Sequence, residues 1–230
     1  MNIKYRNQTF YEGKKSLFYK KIQKIIINKR DEFFNLFLKT TNYSNSKSII
    51  DIGTTPSVDD EQNIFLEKVK NNFNVTCLST QDCRILKKKF KNIKNIIIGD
   101  GKNTNFKDNS FDITHSNATI EHVGSFENQL SFVKEMIRIS KESVFIQTPN
   151  RFHPIEFHTI LPFIHWFPKK IHRKILKYIK FDFYSKEKNL NLLSVKDLKN
   201  ICEILKVKQY QIFKIKLFFF TSNLILVIHK

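Results

Sequence analysis

From Ser48 onward the chain alternates short apolar bursts with amphipathic stretches. The bursts are SIIDIG (48–53), FNVTCLS (73–79), IKNIIIGD (93–100), FDITHSNAT (111–119) and SVFIQT (143–148), and each reads as a strand. The stretches DDEQNIFLEKVKNN (59–72) and QDCRILKKKF (81–90) between them read as helices. In SFENQLSFVKEMIRIS (125–140) the residues Phe126, Leu130, Val133 and Ile137 share one helical face. Ser194 and Asp197 form a capping-box-like start to a helix over VKDLKNICEIL (195–205). The last two apolar runs, VKQYQIFK (207–214) and NLILVIHK (223–230), are separated by a short turn-containing segment. They predict a terminal antiparallel hairpin.

Strands alternating with helices of this length require parallel crossovers, so the expected fold is α/β. The sheet is doubly wound, open and mostly parallel, closed by the C-terminal hairpin. Two segments stand outside the alternation. Residues 1–40 include a helical pattern over 20–40 and predict an N-terminal cap. Residues 149–190, rich in Pro, His and aromatics, predict an insertion at the carboxyl end of a strand, where doubly wound proteins build substrate sites. Residues 1–230 are read as one domain carrying this lid.

Composition narrows the function classes. A content of 41% hydrophobic residues supports one substantial core, and 5 Gly with 5 Pro argue against linker or collagen-like chains. Met1 to Tyr11 is polar with no apolar signal region, which predicts a soluble, cytoplasmic chain. The net charge of +19 favours anionic partners, yet only 6 of the 40 basic residues are Arg. Without clustered Arg for bidentate contacts, no dedicated nucleic-acid partner is expected. Cys77, Cys83 and Cys202 form no CxxC pair, and Cys77 reads as a buried thiol.

Chemistry starts at DIGTTPS (51–57). A dinucleotide loop needs G-x-G-x-x-G, but Thr54, Thr55 and Pro56 follow Gly53. Asp59, Asp60 and Glu61 at the next helix start would repel a pyrophosphate. Asp51 and Gly53 instead suit a ligand with an ammonium group and no phosphate; a plain strand stop with a Thr-Pro turn is the alternative. Asp100 ends the third strand, where a carboxylate accepts from an adenine amine. The fourth enters a loop with Asn117, Glu121 and His122.

In this order, the motifs over residues 48–150 resemble class I S-adenosylmethionine-dependent methyltransferases of the type 11 group, with their Rossmann-like fold. TPNRFHPIEFHTILPFIHWFP (148–168) is similar to a TPNR…PIE-HT-LPF-HW-LP segment of a subgroup associated with sugar and cell-surface polysaccharide modification. The resemblance implies S-adenosylmethionine held by Asp51, Gly53, Thr54, Asp100, Gly101 and Asn117. The acid that such proteins carry after the second strand is missing, and Ser79 and Thr80 stand there, with Asp82 nearby. Hydroxyls bind ribose less strongly than a carboxylate.

O-methylation of a saccharide or other small polar acceptor needs a general base. His122, Glu156 and His158 are the candidates, with Asn150, Arg151 and His153 for acceptor binding. His153, His158, His165 and His172 match no compact ligand spacing, so no metal is expected. Residues 157–184 mix aromatics with Lys and Arg, which suits an interfacial segment on anionic lipid and equally a lid helix with a basic outer face. Two other classes remain open: a methyltransferase-fold scaffold without catalysis, and a basic module for nucleic acid or membrane surfaces.

Overall fold

Strand β1 (Ile49–Ile52) is buried at every position, as a central parallel strand covered on both faces must be. Around it a computed structural model, describing residues 17–58 and 63–230, places six further strands. They are β2 (Val75–Ser79), β3 (Ile93–Ile98), β4 (Phe111–Asn117), β5 (Ser140–Pro149), β6 (Tyr210–Leu217) and β7 (Phe220–His229). Their order is β3-β2-β1-β4-β5-β7-β6. The first five run parallel, while β7 is antiparallel to both β5 and β6. This is the expected open sheet with its terminal hairpin, and chain order reverses between β1 and β4. At such a switch point the connections leave in opposite directions and open a crevice at the strands' carboxyl ends.

Pleating sends alternate residues to opposite faces. Ile50 and Ile52 join Phe132, Met136, Leu198 and Ile201 on one side. Ile49, Ile113 and Phe145 meet Phe37, Phe65 and Leu86 on the other. The second side is covered by α1 (Leu17–Thr40) and α2 (Ile64–Lys68), the first by α3 (Phe126–Ile139) and α5 (Val195–Ile204). A further helix, α4 (Lys169–Tyr178), belongs to the 149–190 insertion. Of the N-terminal cap, residues 1–16 lie outside the described residues.

Three elements differ from expectation. α2 is five residues long, and the acidic positions 59–61 lie outside the described residues. It ends early because Asn72 turns the chain, donating from Nδ2 to the Lys47 carbonyl at 2.8 Å. The 81–90 stretch forms a short 3-10 turn, Arg84–Lys88, begun by Asp82 accepting from the Arg84 amide at 3.0 Å. On α3 the buried line runs through Gln129, Phe132, Val133, Met136 and Ile139, leaving Phe126, Leu130 and Ile137 at its margins. The capping box of α5 forms as expected: Ser194 and Asp197 each accept from the other's backbone amide.

Candidate functional site at the carboxyl edge of the sheet

Gly53 leaves β1 at the switch point with φ of +96°, a region that only glycine enters without strain. A Cβ there would lie 2.0 Å from Oγ1 of Thr119, in the loop after β4. Thr54 is buried and donates to the Asp51 carbonyl at 3.1 Å. Asn63 holds the rest of the altered loop, its Nδ2 donating to the carbonyls of Thr55 and Ser57 at 3.0 and 2.7 Å. A loop poor in glycine is thus kept in shape by one side-chain amide.

Asp51 lies on the α1 side of the sheet, and its Oδ1 is 2.7 Å from Nδ1 of His115 on β4. The His115 ring stacks on Phe65 at 3.6 Å. The sequence reading did not single out His115, which sits in an apolar strand with no marker beyond its own chemistry. Asp100 is exposed and ion-paired with Lys102 at 3.0 Å. Ser79 accepts from the Gln81 amide at 3.2 Å, and Thr80 is exposed. Gly101 serves packing: a Cβ would meet Ile52 at 2.6 Å and Phe132 at 2.8 Å. Asp82 is bound by its neighbour Arg84 and points its carboxylate there.

Between this edge and α1 lies a cavity of about 230 Å³ lined by Phe37, Phe65, His115, Asn117, Phe145 and Gln147, with Lys29, Arg30 and Lys68 also contributing. Oδ1 of Asn117 is buried and has no hydrogen-bond partner among the described residues. A buried amide oxygen without a donor is costly, so this wall accepts a ligand N–H or O–H. Of the residues expected at the cofactor, Asn117 lines this cavity, while Asp51, Gly53 and Asp100 stand at the strand ends outside its lining.

One strand further, the loop after β4 forms a 3-10 turn, Ile120–His122. It meets the insertion. Nδ1 of His122 is 2.6 Å from the carbonyl of Asn189 and must donate to it, leaving Nε2 as acceptor. That Nε2 faces Nε2 of His158 at 3.1 Å, and Nδ1 of His158 is 2.6 Å from Oε1 of Glu156. The expected trio, His122, Glu156 and His158, is therefore one contiguous chain. Glu156 is buried, which opposes its charge, but bonds from His158 and Thr159 hold its carboxyl well below the usual range. Burial also opposes charge on His158, yet the Glu156 carboxylate overrides it and raises the pKa. His122 is lowered by burial, with Glu121 partly offsetting.

Glu121 is wholly buried, and its Oε2 accepts from the Thr148 hydroxyl at 3.0 Å while Oε1 has no partner among the described residues. Two polar residues absent from the sequence reading fix this loop. Gln129 donates from Nε2 to the carbonyls of Ile120 and Asn191 at 3.1 and 2.7 Å. Asn191 donates from its backbone to the Glu121 carbonyl at 2.7 Å and from Nδ2 to the Gly124 carbonyl at 2.8 Å. A polar residue on the buried line of α3 was the available signal for Gln129.

The three residues expected to hold the acceptor have other work. Asn150 donates from Nδ2 to the Thr221 carbonyl at 2.9 Å. Arg151 donates to the carbonyls of His165 and Phe167 at 3.3 and 3.0 Å. His153 is buried, with Nδ1 2.9 Å from the Ile155 carbonyl. Backbone carbonyls in the turns of the insertion need donors, and these side chains supply or complete them. They brace the insertion.

A family model described as a methyltransferase domain matches residues 62–146. Among solved structures, a putative S-adenosylmethionine-dependent methyltransferase from Methanococcus maripaludis is 17% identical, with a TM-score of 0.54 over 92% of this chain and 91% of that one. An S-adenosylmethionine-dependent methyltransferase from Methanosarcina mazei is 13% identical, with a TM-score of 0.54 over 82% and 94%. A structure from Rhodobacter sphaeroides named for putative Zn-dependent alcohol dehydrogenases is 11% identical, with a TM-score of 0.57 over 80% and 85%. Likeness at these identities shows the fold alone. No curated protein matches the chain. The matched segment runs from α2 into β5, and over it the chain is similar to methyltransferase domains, with the β1/β4 switch point inside the similar part.

Proposed function

We propose that the chain uses S-adenosylmethionine to methylate a hydroxyl of a saccharide or another small polar acceptor, in the metabolism of cell-surface polysaccharide. The observation that supports this best is the juxtaposition at one sheet edge of the Asp51–Gly53 strand end with the His122–His158–Glu156 chain beyond β4. S-adenosylmethionine supplies a methyl group already activated by its sulfonium, so the chain's task is alignment, exclusion of water and handling of one proton. Asp51, Asp100 and Asn117 are the residues suited to hold its donors; Gly53 lets the backbone come close.

The acceptor side follows from hydrogen-bond logic. When His158 is neutral with Nδ1–H donating to Glu156, its Nε2 and that of His122 are both acceptors. A hydroxyl that displaces the Nε2–Nε2 contact gives its proton to His158, and the Glu156 carboxylate stabilises the imidazolium formed there. Exposed rings on the insertion, Phe152, Trp166 and Phe167, offer flat faces that suit the C–H faces of a sugar. Ile171, Tyr178 and Ile179 are also exposed on or just after α4, beside its lysines. That surface suits peripheral contact with anionic lipid, where a lipid-linked saccharide is presented. Among the described residues no helix is long and apolar enough to cross a membrane.

Calorimetry with S-adenosylmethionine and its demethylated product tests the cofactor; no heat at millimolar ligand would sink this reading and favour the scaffold. Labelled-methyl transfer to a panel of saccharides tests the acceptor, with His158→Ala expected to lower turnover at least 100-fold while retaining cofactor affinity. Co-sedimentation with anionic vesicles tests the lid surface, which predicts retention at low salt that is lost with neutral lipid.

A further inference from the structure

We propose that Glu121, His122 and His158 form a binding site for a divalent first-row transition ion, with zinc as the reference case. Both histidines present Nε2 to the same point and have Nδ1 tied to an acceptor, Asn189 O for His122 and Glu156 for His158. Metal-bound histidines are oriented in this way: the second ring nitrogen donates to a carboxylate or carbonyl and fixes the tautomer. The Nε2 atoms are 3.1 Å apart. Two nitrogens on one tetrahedral zinc stand about 3.3 Å apart, given Zn–N bonds of ~2.0–2.1 Å.

The third donor is independent of that pair. Oε1 of Glu121 is buried and without a partner among the described residues, and one ligand atom from each of the three residues lies within 4.8 Å of the others. Thr148 orients the carboxylate through its other oxygen. Charge agrees as well. Glu121 and Glu156 are two buried carboxylates, and among the described residues neither is paired with Lys or Arg. A proton shared by the imidazoles supplies one positive charge against two negative ones. A divalent ion between two neutral imidazoles supplies two, and the cluster becomes neutral. Burying unbalanced charge is costly, so the ion is the better occupant. Two imidazoles and one carboxylate favour zinc, iron or cobalt over magnesium.

Three protein donors leave a coordination position open to a small ligand. Metal binding stands whether or not the chain transfers methyl groups. Its use rests on the methyltransferase reading: with both Nε2 atoms on the ion, the imidazoles would no longer take the acceptor's proton, and the open position would hold the hydroxyl oxygen and lower its pKa so that the proton leaves to solvent. The site also differs from the four histidines of the insertion, since His122 lies outside that set and His165 binds the His153 carbonyl at 2.6 Å.

The test uses the full chain without an affinity tag, stripped with a chelator and titrated with Co²⁺. The expected result is one Co²⁺ per chain with visible d–d bands, displaced by Zn²⁺. His122→Ala, His158→Ala and Glu121→Gln should each weaken uptake at least 100-fold. Glu156→Gln should weaken it about 10–100-fold, as loss of an outer hydrogen-bond partner does. His172→Ala should leave it unchanged. Should these variants fail to fold, Zn²⁺ protection of His122 and His158 from acylation in the wild-type chain gives the same answer. Absence of a d–d spectrum at millimolar Co²⁺, or uptake unchanged in folded His122→Ala, or unprotected histidines, would overturn the proposal. Cofactor calorimetry on the stripped chain reports separately on the methyltransferase reading.

Discussion

On the β1–β3 part of the carboxyl edge, most functional groups bond to near neighbours, the Asp51–His115 pair being the long-range exception. Asp100 pairs with Lys102, Ser79 accepts from Gln81, and Thr54 turns back on Asp51. On the β4–β5 part they interlock over long stretches of chain. His122 meets His158 36 residues away and Asn189 67 residues away, while Glu121 meets Thr148 27 residues away. The difference teaches that the first part is a series of strand ends and the second a product of the insertion folding back. Changes in the first should alter affinity locally. Changes in the second should loosen several residues together.

Gly53 is the position where the two parts touch, and it carries the largest expected effect. Gly53→Val forces both a left-handed backbone and an overlap with Thr119, costing about 4 kcal/mol. Chemical denaturation would show it, and pairing the change with Thr119→Gly should recover the overlap share but not the backbone share. Next comes Asn191→Ala, which strips donors from the Gly124 carbonyl and an acceptor from Lys169, at about 2–3 kcal/mol. Turnover should fall while calorimetric affinity for S-adenosylmethionine holds. Equal losses of both would erase the distinction between the two parts.

A third change probes the first part through pH. Glu135 on α3 accepts from the Thr104 amide at 2.7 Å and from Arg138, anchoring the loop after β3. Burial opposes its charge, but Arg138 and Thr104 hold the carboxyl at about 2, below its ordinary 4.5. The folded pKa is depressed, so this stability is fully present above 4.5 and drains as pH falls towards 2. Glu135→Gln should remove about 2 kcal/mol at pH 7 and flatten the pH dependence of unfolding in that window. The smallest effect belongs to Asp100→Ala: about tenfold weaker cofactor binding, ~1.4 kcal/mol, with an unchanged melting temperature. An unaltered affinity would remove Asp100 from the adenine site.

The sheet was legible because its signals are local. Each apolar burst marks a strand whatever happens elsewhere, and the Ser194–Asp197 cap is contained in four residues. Helix length was less so, since α2 is ended by Asn72 reaching to Lys47 across the fold. In the site, His122, Glu156 and His158 were legible as chemical types, but their connection was not. Asn189 contributes only a backbone carbonyl, which no side-chain pattern announces. Asn150 and Arg151 show the matching ambiguity: polar side chains near a strand end serve carbonyls in turns as readily as a ligand.

The meeting of Gly53 and Thr119 has a thermodynamic consequence. The loop proposed for the cofactor and the loop that carries Glu121 and His122 share one bearing surface, with no room for a methyl group between them. A ligand that shifts either loop changes the work needed to place the other. Coupling of this kind is reciprocal: whatever factor the acceptor exerts on cofactor affinity, the cofactor must exert on the acceptor's.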